Sequence, residues 1–147
     1  MTRHVSRIAI AVVAVGLAAQ LGFAQADRQG CEDHPLLTRP EGFFIEGCKD
    51  QEFSSAKFDT ADGRKEIEGH LVSVSYRRPA TAPAMSGLEI IRNYVNAITA
   101  IGGEVTYEGK YSASMKVVVD DREVWVRVMP GGQRSYRLDI VEVQGMQ

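Results

Sequence analysis

Cys31, His34, Cys48 and His70 are the side chains of this sequence best suited to act together chemically. Two thiolates and two imidazoles make a tetrahedral zinc set, but only Cys31 and His34 lie close in the chain, and Cys48 and His70 fit no zinc-binding spacing. Cys31 and Cys48 are also the only cysteines. In an exported chain such a pair is more often a disulfide than two free thiols. Closing the loop between them contributes about 3 kcal/mol by the chain-entropy estimate. The segment it closes, residues 32–47, holds two prolines and looks weakly structured, so a Cys31–Cys48 bridge is the expectation and no metal or cofactor is.

Beyond residue 26, His34 and His70 are the only histidines a nucleophilic triad could use as base. His34 precedes Pro35 in a turn, His70 falls in a predicted strand, and no serine occupies a Gly-x-Ser-x-Gly elbow. The adjacent acids Asp120 and Asp121 suit a solvated turn better than acid–base work. The expected function is therefore non-catalytic; the alternative is a small exported hydrolase or zinc protein using His34 and His70. Asp33, His34 and Arg39 form a candidate recognition cluster, with both charge signs in the tethered loop near Phe43 and Phe44. Trp125, on the strand face opposite the neighbouring valines, is the other candidate, because an indole stacks well on a glycan or a partner.

The chain has 147 residues with 17 basic against 19 acidic ones. A balance so near neutrality excludes an electrostatic nucleic-acid binder, and Arg77, Arg78 and Arg92 give weak attraction to anionic lipid. Phosphate loops and dinucleotide fingerprints are absent. Arg3 and Arg7 precede an apolar run from Ile8 to Leu21, and Ala24 and Ala26 supply small residues where a signal peptidase reads. Residues 1–26 are expected to be a secretory signal peptide, and no later segment is long and apolar enough to span a bilayer. Cleavage removes two arginines and leaves residues 27–147 as one mildly acidic domain.

The elements that must position these residues read as a sheet with one helix. Glu52–Asp59 is a weak strand signal, and Glu66–Tyr76 is a clearer one with near-alternate apolar residues. A proline-rich linker, residues 79–84, precedes Ser86-Gly87-Leu88-Glu89, a capping box. Leu88, Ile91, Val95, Ile98 and Ile101 then recur at helical spacing with Tyr94 beside them, and Gly102-Gly103 ends the run, which predicts a helix over residues 87–101. Residues 104–107, 112–119, 123–129 and 135–143 are four further strands, with Asp120-Asp121-Arg122 in a tight turn. The fold class expected is α+β: a mainly antiparallel sheet, one amphipathic helix packed on it, and a disulfide-tethered N-terminal loop.

Asp33-His34-Pro35-Leu36 with Arg39 and Gly42, Ile91-Arg92-Asn93-Tyr94 with Ala97-Ile98 and Gly102-Gly103, and Glu123-Val124-Trp125-Val126 together carry a likeness. Across residues 31–143 the chain resembles the domain found upstream of the peptidoglycan-binding module in a subset of OmpA family envelope proteins. The resemblance implies a Gram-negative envelope location, in the periplasm or associated with the outer membrane, and an accessory role toward an envelope protein or cell-wall component. The wall-binding module itself has no counterpart before Gln147, so peptidoglycan binding is not carried over. Arg39-Pro40-Glu41-Gly42 also departs from the family's Arg, apolar residue, Pro-Gly turn.

Overall fold

The computed structural model describes residues 25–144. The expected signal peptide therefore lies outside the described residues except for Gln25 and Ala26. Six strands follow in chain order, with one helix among them: β1 Phe44–Thr60, β2 Gly63–Arg77, α1 Gly87–Ala100, β3 Glu104–Glu108, β4 Ala113–Val119, β5 Arg122–Pro130 and β6 Ser135–Glu142. They form one sheet in the order β1-β2-β6-β5-β4-β3, antiparallel throughout. With a single 14-residue helix against it, the fold is mainly β rather than an even α+β mixture. No helix among the described residues is long and apolar enough to cross a membrane.

The helix begins as the capping box predicts, with the Ser86 hydroxyl accepting from the Glu89 amide. At the other end Gly102 takes φ +87°, the left-handed geometry that lets the chain turn away. Its buried face is Ile90, Ile91, Tyr94, Val95 and Ile98. Leu88 and Ile101, expected on that stripe, are 58% and 47% exposed. At about 100° per residue, Leu88 sits at the margin of the buried arc in the first turn, and Ile101 follows the last helical residue. Each fully buried isoleucine contributes about 1.5–3 kcal/mol over its exposed state, several times any propensity difference between helix residues. Packing on the sheet therefore holds this β-branched helix in place.

The unexpected element is the β1–β2 hairpin. β1 runs for 17 residues, twice the length the sequence suggests, because polar residues alternate too irregularly from Glu46 to Ser55 to show a strand. Only residues 70–77 of β2 pair with β6, so the distal half of the hairpin projects beyond the sheet. Gly69 makes the departure possible: a Cβ there would lie 2.1 Å from the Glu142 carbonyl oxygen. Across from it the β1 register shifts between Gln51 and Ser54, and such a bulge bends a strand. The hairpin then folds over the face away from the helix. Its Asp59 amide donates to Ser114 Oγ at 3.0 Å, and its Asp59 carbonyl accepts from Thr106 Oγ1 at 2.8 Å.

Two apolar clusters result. The larger lies between the sheet, α1 and the N-terminal loop. The smaller, Phe58, Ile67, Leu71, Trp125 and Val141, lies beneath the folded hairpin. The β4–β5 turn is built from Asp120 and Asp121, both at positive φ (49° and 61°), as a two-residue hairpin turn requires.

Candidate functional site

Cys31 and Cys48 form a disulfide with Cα atoms 5.8 Å apart. The bridge pins the loop to β1, and it removes both thiolates from the zinc set considered above. Arg39 holds the same loop from the other side. Its Nη1 and Nη2 donate to the two Asp27 oxygens at 2.6 and 2.7 Å, its Nε donates to Asp33 at 2.9 Å, and Nη1 also reaches the Phe43 carbonyl at 3.3 Å. Nη2 lies 2.8 Å from Asp33 Oδ2. These bonds hold the Asp27 carboxyl below its usual range, with burial opposing them and the Ile45 amide adding to them. Hydrogen bonding to Asp27, ahead of that to Asp33, keeps Arg39 charged against its own burial. Asp33 and Arg39, read from sequence as a recognition cluster, thus turn their polar atoms inward.

Asp33 extends this clamp into the core, where its Oδ1 accepts from the Tyr76 hydroxyl at 2.6 Å. Tyr76 stacks on Tyr136 with ring centroids 4.6 Å apart, and the Tyr136 and Tyr94 hydroxyls are 2.5 Å from each other. Loop, sheet and helix meet at these three rings. Burial is the main cause that pushes all three phenols above their ordinary range; the Asp33 bond adds to it for Tyr76. Nothing local in the sequence pairs Asp27 with Arg39 or brings Tyr76, Tyr94 and Tyr136 together.

Between the tethered loop and the sheet lies a pocket of about 340 Å³. Glu32, Asp33, His34, Lys49, Asp50, His70 and Glu142 line it, beside Cys48. The structure therefore brings His34 and His70 to one pocket, which their separation in sequence did not promise. Their states differ. The buried His34 accepts the Leu36 amide at Nδ1 (3.2 Å), so its Nε2 carries the proton it donates to Glu142 Oε1 at 2.8 Å. Both nitrogens are engaged, and neither offers a lone pair to a metal or a substrate. His70 Nε2 is 2.5 Å from Asp50 Oδ1, across the β1–β2 ladder. Donation to that carboxylate would leave Nδ1 as the unprotonated nitrogen of the ring. The lining includes no serine, threonine or free cysteine.

Trp125 does lie on the face opposite the valines, as the alternation predicts, but it is 2% exposed. The folded β1–β2 hairpin covers it with Phe58, whose ring centroid is 5.5 Å away. An open stacking platform on this sheet face is thus corrected to an indole inside a second core. Neither models of known protein families nor curated proteins give a match to this chain.

Proposed function

We propose that this chain is a non-catalytic accessory domain of the cell envelope that engages an envelope protein or wall component through the pocket beneath its tethered loop. The observation that carries the reading is the loop itself. A disulfide and an arginine clamp fix an otherwise irregular segment over a pocket whose rim bears Glu32, Lys49, Asp50 and His70. Rigid polar loops held on a scaffold are where recognition commonly resides. The disulfide and the secretory leader both suit an oxidising compartment such as the periplasm, in keeping with the resemblance to the OmpA-associated domain.

The test places a photo-crosslinking residue at position 49 in cells exporting the full chain. A discrete adduct with one envelope protein or wall fragment, diminished by Asp50→Ala with His70→Ala, is the expected outcome. Adducts confined to cytoplasmic proteins, or an adduct unaffected by the paired substitution, would overturn the reading. The convergence of His34 and His70 favours a second reading, a small exported hydrolase with His70 as base and Asp50 as its orienting acid. That reading requires hydrolysis of an envelope substrate that disappears in His70→Ala and falls in Asp50→Asn.

A further inference from the structure

The bonds of His34 fit one protonation state only. A backbone N–H always donates, so the Leu36 amide 3.2 Å from Nδ1 requires a lone pair on that nitrogen. The single proton of the ring then sits on Nε2, 2.8 Å from Glu142 Oε1. An imidazolium carries a proton on both nitrogens. Its Nδ1–H would point at the Leu36 N–H, so protonation of His34 and the Leu36 bond exclude each other.

The surroundings nevertheless draw a proton in. Glu142 meets the ring from β6, and Arg122 of β5 holds only its other oxygen, at 3.5 Å. Asp50 of β1 and His70 of β2 share the loop pocket with the ring and are joined to each other at 2.5 Å. Lys49 of β1 lines the same pocket, as do Glu32 and Asp33 of the loop itself, the latter held by Arg39. Asp120 of the β4–β5 turn shares with His34 the lining of a smaller cavity, of about 150 Å³. Glu142, Asp50, Glu32, Asp33 and Asp120 thus outnumber Arg122, Lys49 and Arg39 around a ring that is itself buried.

Of the two bonds, the one to Leu36 yields. Glu142 accepts from Nε2 in either state and binds the charged ring more tightly, whereas the Leu36 amide loses its acceptor outright. Leu36 is half-buried against the larger core and, with Val119 and Val124, walls the smaller cavity. His34, Pro35 and Glu142 border both that cavity and the loop pocket.

We propose that His34 is an acid-sensitive latch: its protonation releases Leu36 and opens an apolar groove alongside the loop pocket, while the disulfide and Arg39 keep the loop in place. As the regulation of a partner-binding pocket, the latch rests on the function proposed above. The release itself needs no partner, so crosslinking at position 49 and the experiment below fail independently.

Nuclear magnetic resonance of the oxidised chain, titrated between about pH 8 and pH 5, reads both halves of the device. At the alkaline end the His34 nitrogens should report the Nε2–H tautomer. As His34 takes up its proton, the protection factor of the Leu36 amide should fall by about tenfold or more with the same midpoint. The Ile45 amide, bonded to Asp27 across the loop, should keep its protection. His70→Gln, which removes the other imidazole of the pocket, should leave the transition in place, and His34→Gln, its fold checked by circular dichroism, should abolish it. An Nδ1–H tautomer at the alkaline end, or a His34 ring that stays neutral throughout, would overturn the proposal. So would Leu36 protection that survives protonation of His34, a parallel loss at Ile45, or a transition that persists in His34→Gln or vanishes in His70→Gln.

Discussion

Replacing Arg39 by methionine removes the clamp while keeping much of the side chain's apolar stem, which lies near the Tyr76 ring. The substitution leaves Asp27 and Asp33 as neighbouring carboxylates without their cation, and withdraws four donated hydrogen bonds. Breaking a buried pair from one side costs about 3–5 kcal/mol, and an exposed pair under about 1. Here the arginine side chain is 20% exposed and its partners about a third, so about 2–3 kcal/mol is expected. Urea unfolding of the oxidised chain at pH 7 should show a midpoint lower by about 1–2 M with an unchanged slope. The pH dependence supplies an internal check. Asp27 is held below its usual range chiefly by Arg39, so the stability it contributes is full above about pH 4 and is lost as pH falls through its lower folded value. The gap between wild type and Arg39→Met should therefore narrow on acidification below about pH 4. A loss under about 0.5 kcal/mol at pH 7, or a gap that stays constant down to pH 2, would refute the clamp as a strut of the loop.

Gly69→Ala places a methyl group against the Glu142 carbonyl at the bend of β2, so it should cost about 3 kcal/mol or more and red-shift Trp125 emission as the hairpin lifts; native emission and an unshifted melting curve would argue that the bend lies elsewhere. Cys31→Ser with Cys48→Ser should lower stability by about 3 kcal/mol and expose loop amides to hydrogen exchange, among them the Leu37 amide now bonded to the His34 carbonyl; protection equal to wild type would mean that Arg39 alone holds the loop. Tyr76, Tyr94 and Tyr136 keep their protons in the folded state above their ordinary range, so the stability they provide is complete below about pH 10 and falls as pH rises past it. Absorbance at 295 nm should show three phenols ionising together with unfolding by circular dichroism, and separate transitions would contradict their burial.

Local rules wrote the right-hand half of the sheet into the sequence. Valines alternating along β5, the two-residue Asp120-Asp121 turn, and Ser86 with Gly102 at the ends of α1 act over four residues or fewer, so each element and nearly every boundary from residue 86 onward could be read. The first half of β1, residues 44–51, escaped that reading, and the second half showed only weakly, because an edge strand with a bulge and a polar outer side has neither the alternation nor the apolar content that betrays a strand. Leu88 and Ile101 mislead for a related reason: periodicity places a residue on a stripe without saying where along the helix the sheet ends.

The cysteine pairing was also legible, since two cysteines allow only one bridge. Which polar residues remain free to act was not. Asp33 and Arg39 are consumed by Asp27 and Tyr76, His34 by Glu142 and the Leu36 amide, and Trp125 is closed over by a hairpin that starts some eighty residues earlier. Sequence alone determined the helix with its caps, the later strands and the disulfide, because short-range spacing and covalent chemistry govern them. Tertiary structure alone decided that His34 and His70 line one pocket and that the hairpin closes over Trp125, because a bend at Gly69 and the antiparallel register bring together side chains that no local interaction could pair.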